Sequence, residues 1–378
     1  MNIIIIIFVF FSFIIDSGGP IGIRYIGLFF VIIGAILHLY FNSNYKSERH
    51  MLVSYFLFLF LAMAGLGVSL IGGQSIADII IWIAPLLFIP FFFWFFSLYN
   101  KTELLKGVVY SGYVFSITIL VVFILLLVYG QSVTDYFNSF PGWFYVRDDG
   151  YPQVYFQSTL VMVAISLYSF FSGYRKSAFF FVFLLGLCLS RFGVFTVLFF
   201  MLMAAFFKKE TIAKFIRYLF LPQAVLVLLA FVMVYLPYSN LSIIDDPYDG
   251  ISIRLGHLVS VFNNLDGFNI LFGMGPGSHF YSIGFNSFTD NIEISQLEII
   301  RKYGVLGYLL HSLAFFYILI LFYKRERYQE IISLYGFYLV SYSNPVLVSF
   351  TFSVFLGLLM AISLNKKKLT HPLNIRFS

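Results

Sequence analysis

Apolar runs recur from one end of the chain to the other, at about 2–15, 21–41, 51–71, 76–98, 105–129, 153–173, 177–189, 192–207, 215–236, 303–323, 329–343 and 346–364. Wound as helices at ~1.5 Å per residue, runs of roughly 20 residues match the ~30 Å hydrocarbon core of a bilayer. The expected fold is an all-α polytopic membrane protein with about 12 transmembrane helices, forming a single membrane domain over residues 1–378. With 61% hydrophobic and only 11% charged residues, no soluble domain accounts for the chain. The opening MNIIIIIFVFFSFII lacks a basic leader and a small-residue cleavage site, so it reads as a retained first span.

Charge sets the expected orientation. If both termini are cytoplasmic, the segments 46–49, 101–106, 175–176, 208–217, 324–327 and 366–376 lie inside and hold 17 of the 23 lysines and arginines. The same arrangement leaves 12 of the 17 acids outside, the asymmetry that the positive-inside rule expects. The net charge of +6 is thus explained by stop signals facing an anionic leaflet, and nucleic acid is not an expected partner. The lone Cys188 excludes a disulfide framework, and no internal repeat or inverted pair of interrupted helices points to a transporter.

Residues 175–209 carry basic groups at both ends and Arg191 in the middle. A hairpin keeps both basic ends inside, but its first arm, 177–189, rises only about 20 Å across a core of about 30 Å. Arg191 is therefore expected below the outer surface, where an arginine serves an anion, a carboxylate partner or a water-filled pocket. The plainer reading is an arginine that snorkels to the headgroups.

The long polar segment at about 237–302 is the expected extracytoplasmic loop. Arg254 precedes Leu255, Leu258, Val261 and Phe262, a spacing that gives an amphipathic helix lying on the membrane, with His257 beside Arg254. The turn LFGMGPGSHF places Gly275 and Gly277 where backbone turns tightly or approaches a ligand, and His279 follows. The turn lacks a P-loop pattern, and no His-Glu-x-x-His or similar set exists, so neither a nucleotide nor a metal site is expected. Between 237 and 300 seven acids face one arginine, which directs attention to Arg191 and Arg254 for any anionic substrate. Elsewhere on the outer side, Arg147, with Asp148 and Asp149, is either a substrate group or part of a solvated loop. Arg24 is either an interfacial anchor or a lipid-phosphate contact.

Three stretches together resemble the O-antigen polymerase and ligase superfamily of bacterial membrane glycosyltransferases. They are LSRFGVF (189–195), IRLGHLV…LFGMGPG (253–277) and EIIRKYGVLG (298–307). The resemblance implies glycosyl transfer between undecaprenyl-pyrophosphate-linked glycans at the periplasmic face of the inner membrane. No metal or cofactor is implied, and the chain-length regulator protein is an expected partner. Arg191 and Arg254 would meet the pyrophosphate, and Glu293, Asp290 or His279 would take the acceptor proton. Arg24, Arg147, His257, Gly275 and Gly277 are the further substrate-binding candidates. Ligases of the group carry a His-Asn pair about eleven residues before a G-x-x-G. Here eleven residues before Gly304 stands Glu293, with Asp290 and Asn291 just upstream, which favours a polymerase over a ligase. A flippase for the same lipid-linked sugars is the rival reading.

Overall fold

The computed structural model describes residues 2–16, 22–41, 49–138, 144–145, 155–156, 159–188, 190–235, 250–343 and 346–364. The order of elements is α1 (Asn2–Ile15), α2 (Ile23–Phe41), α3 (Arg49–Ile71), α4 (Ile76–Ser97), α5 (Lys101–Tyr129), α6 (Gln131–Asn138), β1 (Phe144–Tyr145), β2 (Tyr155–Phe156), α7 (Val161–Phe171) and α8 (Arg175–Leu187). Then come α9 (Arg191–Phe206), α10 (Lys209–Tyr235), α11 (Gly250–Asn264), α12 (Gly267–Phe272), β3 (Phe280–Ser282), β4 (Ser287–Thr289), α13 (Ser295–Lys324), α14 (Tyr328–Val340) and α15 (Phe350–Leu364).

Each of the twelve apolar runs contains a helix. Among the described residues, six of these helices (α2, α3, α4, α5, α10 and α13) are long and apolar enough to cross a membrane. The helices α1, α7, α9 and α15 are apolar but shorter. The two 13-residue helices α8 and α14 rise only about 20 Å. Side chains such as Phe29, Ile36, Ile117, Ile124 and Leu202 stay exposed, so the flank of the bundle is apolar where lipid would lie.

The core is built by α15 on α4, α13 on α3, α7 on α8 and α14, and α1 on α5. Helix α15 is buried from Thr351 to Ser363, and Gly357 lets it close onto the backbone of α4 at Phe92 and Phe93. Two prolines inside α4, Pro85 and Pro90, do not end it. The hydroxyl of Ser353 donates to the Pro85 carbonyl at 2.6 Å.

Contacts between connecting segments fall into two groups. At one end, the Ser69 hydroxyl in the last turn of α3 donates to the Pro276 carbonyl at 2.7 Å, and Ser295 N–H, opening α13, donates to Ser341 O at 3.0 Å. The Arg24 guanidinium there lies 5.8 Å from the Phe350 ring, joining the starts of α2 and α15. At the far ends of α13 and α14, Lys209 Nζ donates to Gln329 Oε1 at 3.5 Å and Arg217 lies 4.3 Å over the Tyr323 ring. The charges of Lys101, Arg327 and Lys209 there surround the buried Glu330.

Candidate functional site

Helix α13 begins eight residues before the apolar run expected at 303, and its first turns carry three charges that pair with one another. Glu298, Arg301 and Lys302 stand at i, i+3 and i+4, all with fully buried side chains. Arg301 donates from Nε to Glu298 Oε2 at 3.0 Å and from Nη2 to Glu298 Oε1 at 2.7 Å. Lys302 Nζ lies 2.6 Å from Glu298 Oε1 and 2.7 Å from the centre of the Trp82 ring. The rest of the Arg301 fork reaches out of the helix. Nη1 donates to Ser278 O at 3.0 Å and Ser278 Oγ at 2.8 Å, and Nη2 donates to Asp290 O at 2.6 Å. One guanidinium therefore pins both the glycine turn and the segment that carries Asp290 and Glu293. The cluster holds two cations against one anion.

The helix then kinks at Gly304, whose φ of 72° and ψ of −178° lie outside helical space. A kink frees carbonyls of the preceding turn, and the glycine turn fills them. Met274 N–H donates to Arg301 O at 2.8 Å and Gly275 N–H to Lys302 O at 3.0 Å. A Cβ on Gly304 would lie 2.1 Å from Leu271 O, so the end of α12 occupies the notch. Gly275 and Gly277 face Ser69 and Asp78 at the α3–α4 turn, where a Cβ would fall 2.6 Å from Ser69 Oγ and 2.9 Å from Asp78 Cβ. The tight backbone approach expected of these glycines is made to the protein itself.

Helix α11 docks on the β3–β4 hairpin by the same device. Gly256 and Gly284 touch backbone to backbone, since a Cβ on Gly256 would fall 2.6 Å from Gly284 N. Ser260 Oγ accepts from Ile283 N–H and donates to Gly256 O, both at 2.7 Å. The apolar face of α11 differs from the expectation: Val261 and Phe262 are buried in the protein core, while Leu255 remains exposed.

His257 is fully buried, with Nδ1 2.7 Å from Ser282 Oγ and its ring edge-on to Phe285 at 4.2 Å. Burial pushes its pKa down to about 4, with Arg254 pushing the same way and Glu298 opposing. The imidazole is neutral at physiological pH and clips α11 to the hairpin.

This framework brings two of the candidates together. Arg254 Nε lies 3.4 Å from Glu293 Oε2, with the two side chains 43% and 32% exposed. A pair this exposed is worth at most about 1 kcal/mol, so a ligand can separate it at little cost. Asp290, half-buried, gives its carbonyl to Arg301, and His279 is exposed at the end of the glycine turn.

The other candidates stand apart. Arg191 is the exposed first residue of α9, with no hydrogen bond or ion pair to the others among the described residues. Arg24 donates from its backbone N–H to Asp16 Oδ2 at 3.1 Å, and its guanidinium lies over the Tyr25 and Phe350 rings. Arg147 lies outside the described residues. Among the described residues, no three His, Cys, Asp or Glu side chains gather as a metal would require.

Sequence reasoning missed Glu298, Arg301 and Lys302 as a unit. Their i, i+3, i+4 spacing next to a G-x-x-G was the available signal. No protein-family model matches the chain, and no curated protein matches it either.

Proposed function

We propose that the chain is a membrane glycosyltransferase that polymerises undecaprenyl-pyrophosphate-linked oligosaccharide repeat units into O-antigen or a related surface polysaccharide. The protein would sit in the cytoplasmic (inner) membrane with about 12 membrane segments and both termini inside. Its site would face the periplasm. The observation that carries the reading is the meeting of Arg254 and Glu293, 39 positions apart, as a half-exposed pair. They stand on the long polar segment that carries two of the three resemblance stretches, 253–277 and 298–307.

The chemistry asks for those two groups. The glycosyl C1–O bond to pyrophosphate breaks as the acceptor hydroxyl forms a new C1–O bond. The departing pyrophosphate gains negative charge, and the acceptor oxygen loses a proton. A guanidinium grips two phosphate oxygens at once, and a carboxylate within reach of the hydroxyl takes the proton. At 3.4 Å the two groups cannot serve opposite ends of one reacting bond. Substrate entry therefore parts them, Arg254 turning to the pyrophosphate and Glu293 to the acceptor. Arg191 is the second cation assigned to the pyrophosphate.

The test is the glycan profile of a strain lacking the protein. Single repeat units on the lipid acceptor are the result expected of a missing polymerase. Free polymer without attachment would assign a ligase, and lipid-linked units retained in the cytoplasm would assign a flippase. An unchanged profile would overturn the reading altogether.

A further inference from the structure

The β3–β4 hairpin has two faces. Phe280 and Ser282 point inward, Phe280 under the Arg301 guanidinium at 4.5 Å and Ser282 bonded to His257. Tyr281 and Phe288 are direct cross-strand partners on the other face, 43% and 77% exposed, with ring centres 5.6 Å apart at 73°. The phenol of Tyr281 donates to Asn286 Oδ1, which fixes its ring and leaves the amide nitrogen of Asn286 available as a donor. The strand then runs directly into Asp290 and Glu293.

We propose that Tyr281 and Phe288 form a stacking platform for a sugar ring of the acceptor glycan, beside the Arg254–Glu293 pair. This rests on the glycosyltransferase reading and names the part of the substrate that the hairpin holds. The CH-rich face of a pyranose packs against an aromatic ring whose face is electron-rich, while hydroxyls around its rim need donors and acceptors. The hairpin supplies that combination: two exposed rings, with the exposed Asn286 at the turn and the half-buried Asp290 just past the strand, while Ser287 and Thr289 pair with Ser282 and Phe280 on the inward face. Charge argues against a lipid surface as the occupant. Residues 280–293 contain no lysine or arginine and two carboxylates, whereas segments that lie on anionic bilayers are rich in cations. The fold adds a reason for precision. The inward face is held by Arg301, His257 and the Gly256–Gly284 approach, so the outward rings stand on a fixed base.

The experiment uses the full-length protein in nanodiscs of phosphatidylethanolamine and phosphatidylglycerol. Lipid-linked repeat units from the native strain serve as substrate. Phe288→Ala and Tyr281→Ala should each raise KM for the acceptor about three- to tenfold, the effect falling on KM rather than kcat. Phe288→Trp should restore the KM, and Phe288→Leu should not. Leucine preserves apolar anchoring but has no ring face, so a Leu variant equal to wild type would overturn the platform in favour of bilayer contact. Strong quenching by doxyl-lipids of a bimane placed at Phe288→Cys, in a Cys188→Ala background, would overturn it in the same way. Repeat-unit oligosaccharide released from its lipid by mild acid gives a readout free of catalysis. Saturation-transfer NMR should show it binding to wild type and not to the Tyr281→Ala/Phe288→Ala protein. Polymerisation with equal oligosaccharide binding by both would sink the platform and spare the polymerase. Binding lost in the double variant, from a protein that polymerises nothing, would do the reverse.

Discussion

Glu298→Gln is the most informative change in the buried cluster, because it removes the carboxylate that two cations share. In the wild type Glu298 accepts two bonds from Arg301 and is ion-paired with Lys302, with no side-chain exposure on any of the three. The glutamine variant takes from both cations the carboxylate they share, and stripping a partner from a buried ion pair costs about 3–5 kcal/mol. Lys302→Met works in the opposite direction. It leaves a neutral Arg301–Glu298 pair joined by two bonds, and it removes the surplus positive charge. The ammonium–Trp82 contact is lost, about 0.5–2 kcal/mol, but a thioether against the indole returns a comparable amount. The net change for Lys302→Met should lie within about 1 kcal/mol of zero. Extending the size scaling of midpoint shifts to a chain this long gives about 1–2 °C per kcal/mol. Glu298→Gln should therefore lose roughly 3–10 °C while Lys302→Met stays near wild type. Fluorescence-detected size exclusion after graded heating of detergent-solubilised protein reads both. Equal midpoints for Glu298→Gln and wild type, or a less stable Lys302→Met, would refute the charge accounting.

Four further outcomes are expected. Arg191→Lys keeps the charge but not the planar fork, so chain extension should fall about 10- to 10³-fold at matched membrane levels; full-length polymer from this variant would remove Arg191 from the site. Elongation by purified protein should survive excess EDTA, and activity lost to EDTA and restored by Mg²⁺ or Mn²⁺ would sink the arginine account of the leaving group. The folded pKa of His257 lies below its unfolded value, so the unfolded chain binds the extra proton as pH falls from about 6.5 to about 4. Stability should then drop by up to about 3 kcal/mol across that window, and His257→Gln should flatten this part of the pH–stability curve. In a Cys188→Ala background, a cysteine at Ser287 should react with a membrane-impermeant thiol reagent in cells with a permeabilised outer membrane, and one at Ser47 should not; the opposite pattern would invert the orientation.

The helical bundle was legible because apolar run length is nearly all that a membrane requires of a segment. The run at about 153–173 shows where that rule stops. Its helix begins only at Val161, and Tyr155 and Phe156 pair instead with Phe144 and Tyr145 in a short ladder. Aromatic residues suit either state, and periodicity cannot choose between them. Arg254 and Glu293 were legible as candidates, but their meeting was not, since it depends on a hairpin that docks through Gly256 and Gly284. Glu298, Arg301 and Lys302 were hidden for a physical reason. Charge in a sequence reads as exposure, and only the fold shows that these three charges satisfy one another in the interior.

The packing of α15 onto α4 has a consequence for the timing of assembly. Helix α15 is made after every other described helix, and 253 positions separate Ser97 from Phe350. At a synthesis rate of about 5–20 residues per second, α4 waits roughly 13–50 s for its most extensive neighbour. In water such an interval would leave an apolar slot open to aggregation. In a bilayer, acyl chains fill the slot as well as leucine would, so the wait carries no hydrophobic penalty. What α15 adds on arrival is shape: Gly357 against the α4 backbone, Ser353 on the Pro85 carbonyl and Thr351 on Phe13. The bundle closes by exchanging lipid for fitted protein, and the last of the described helices is the one that expels the solvent.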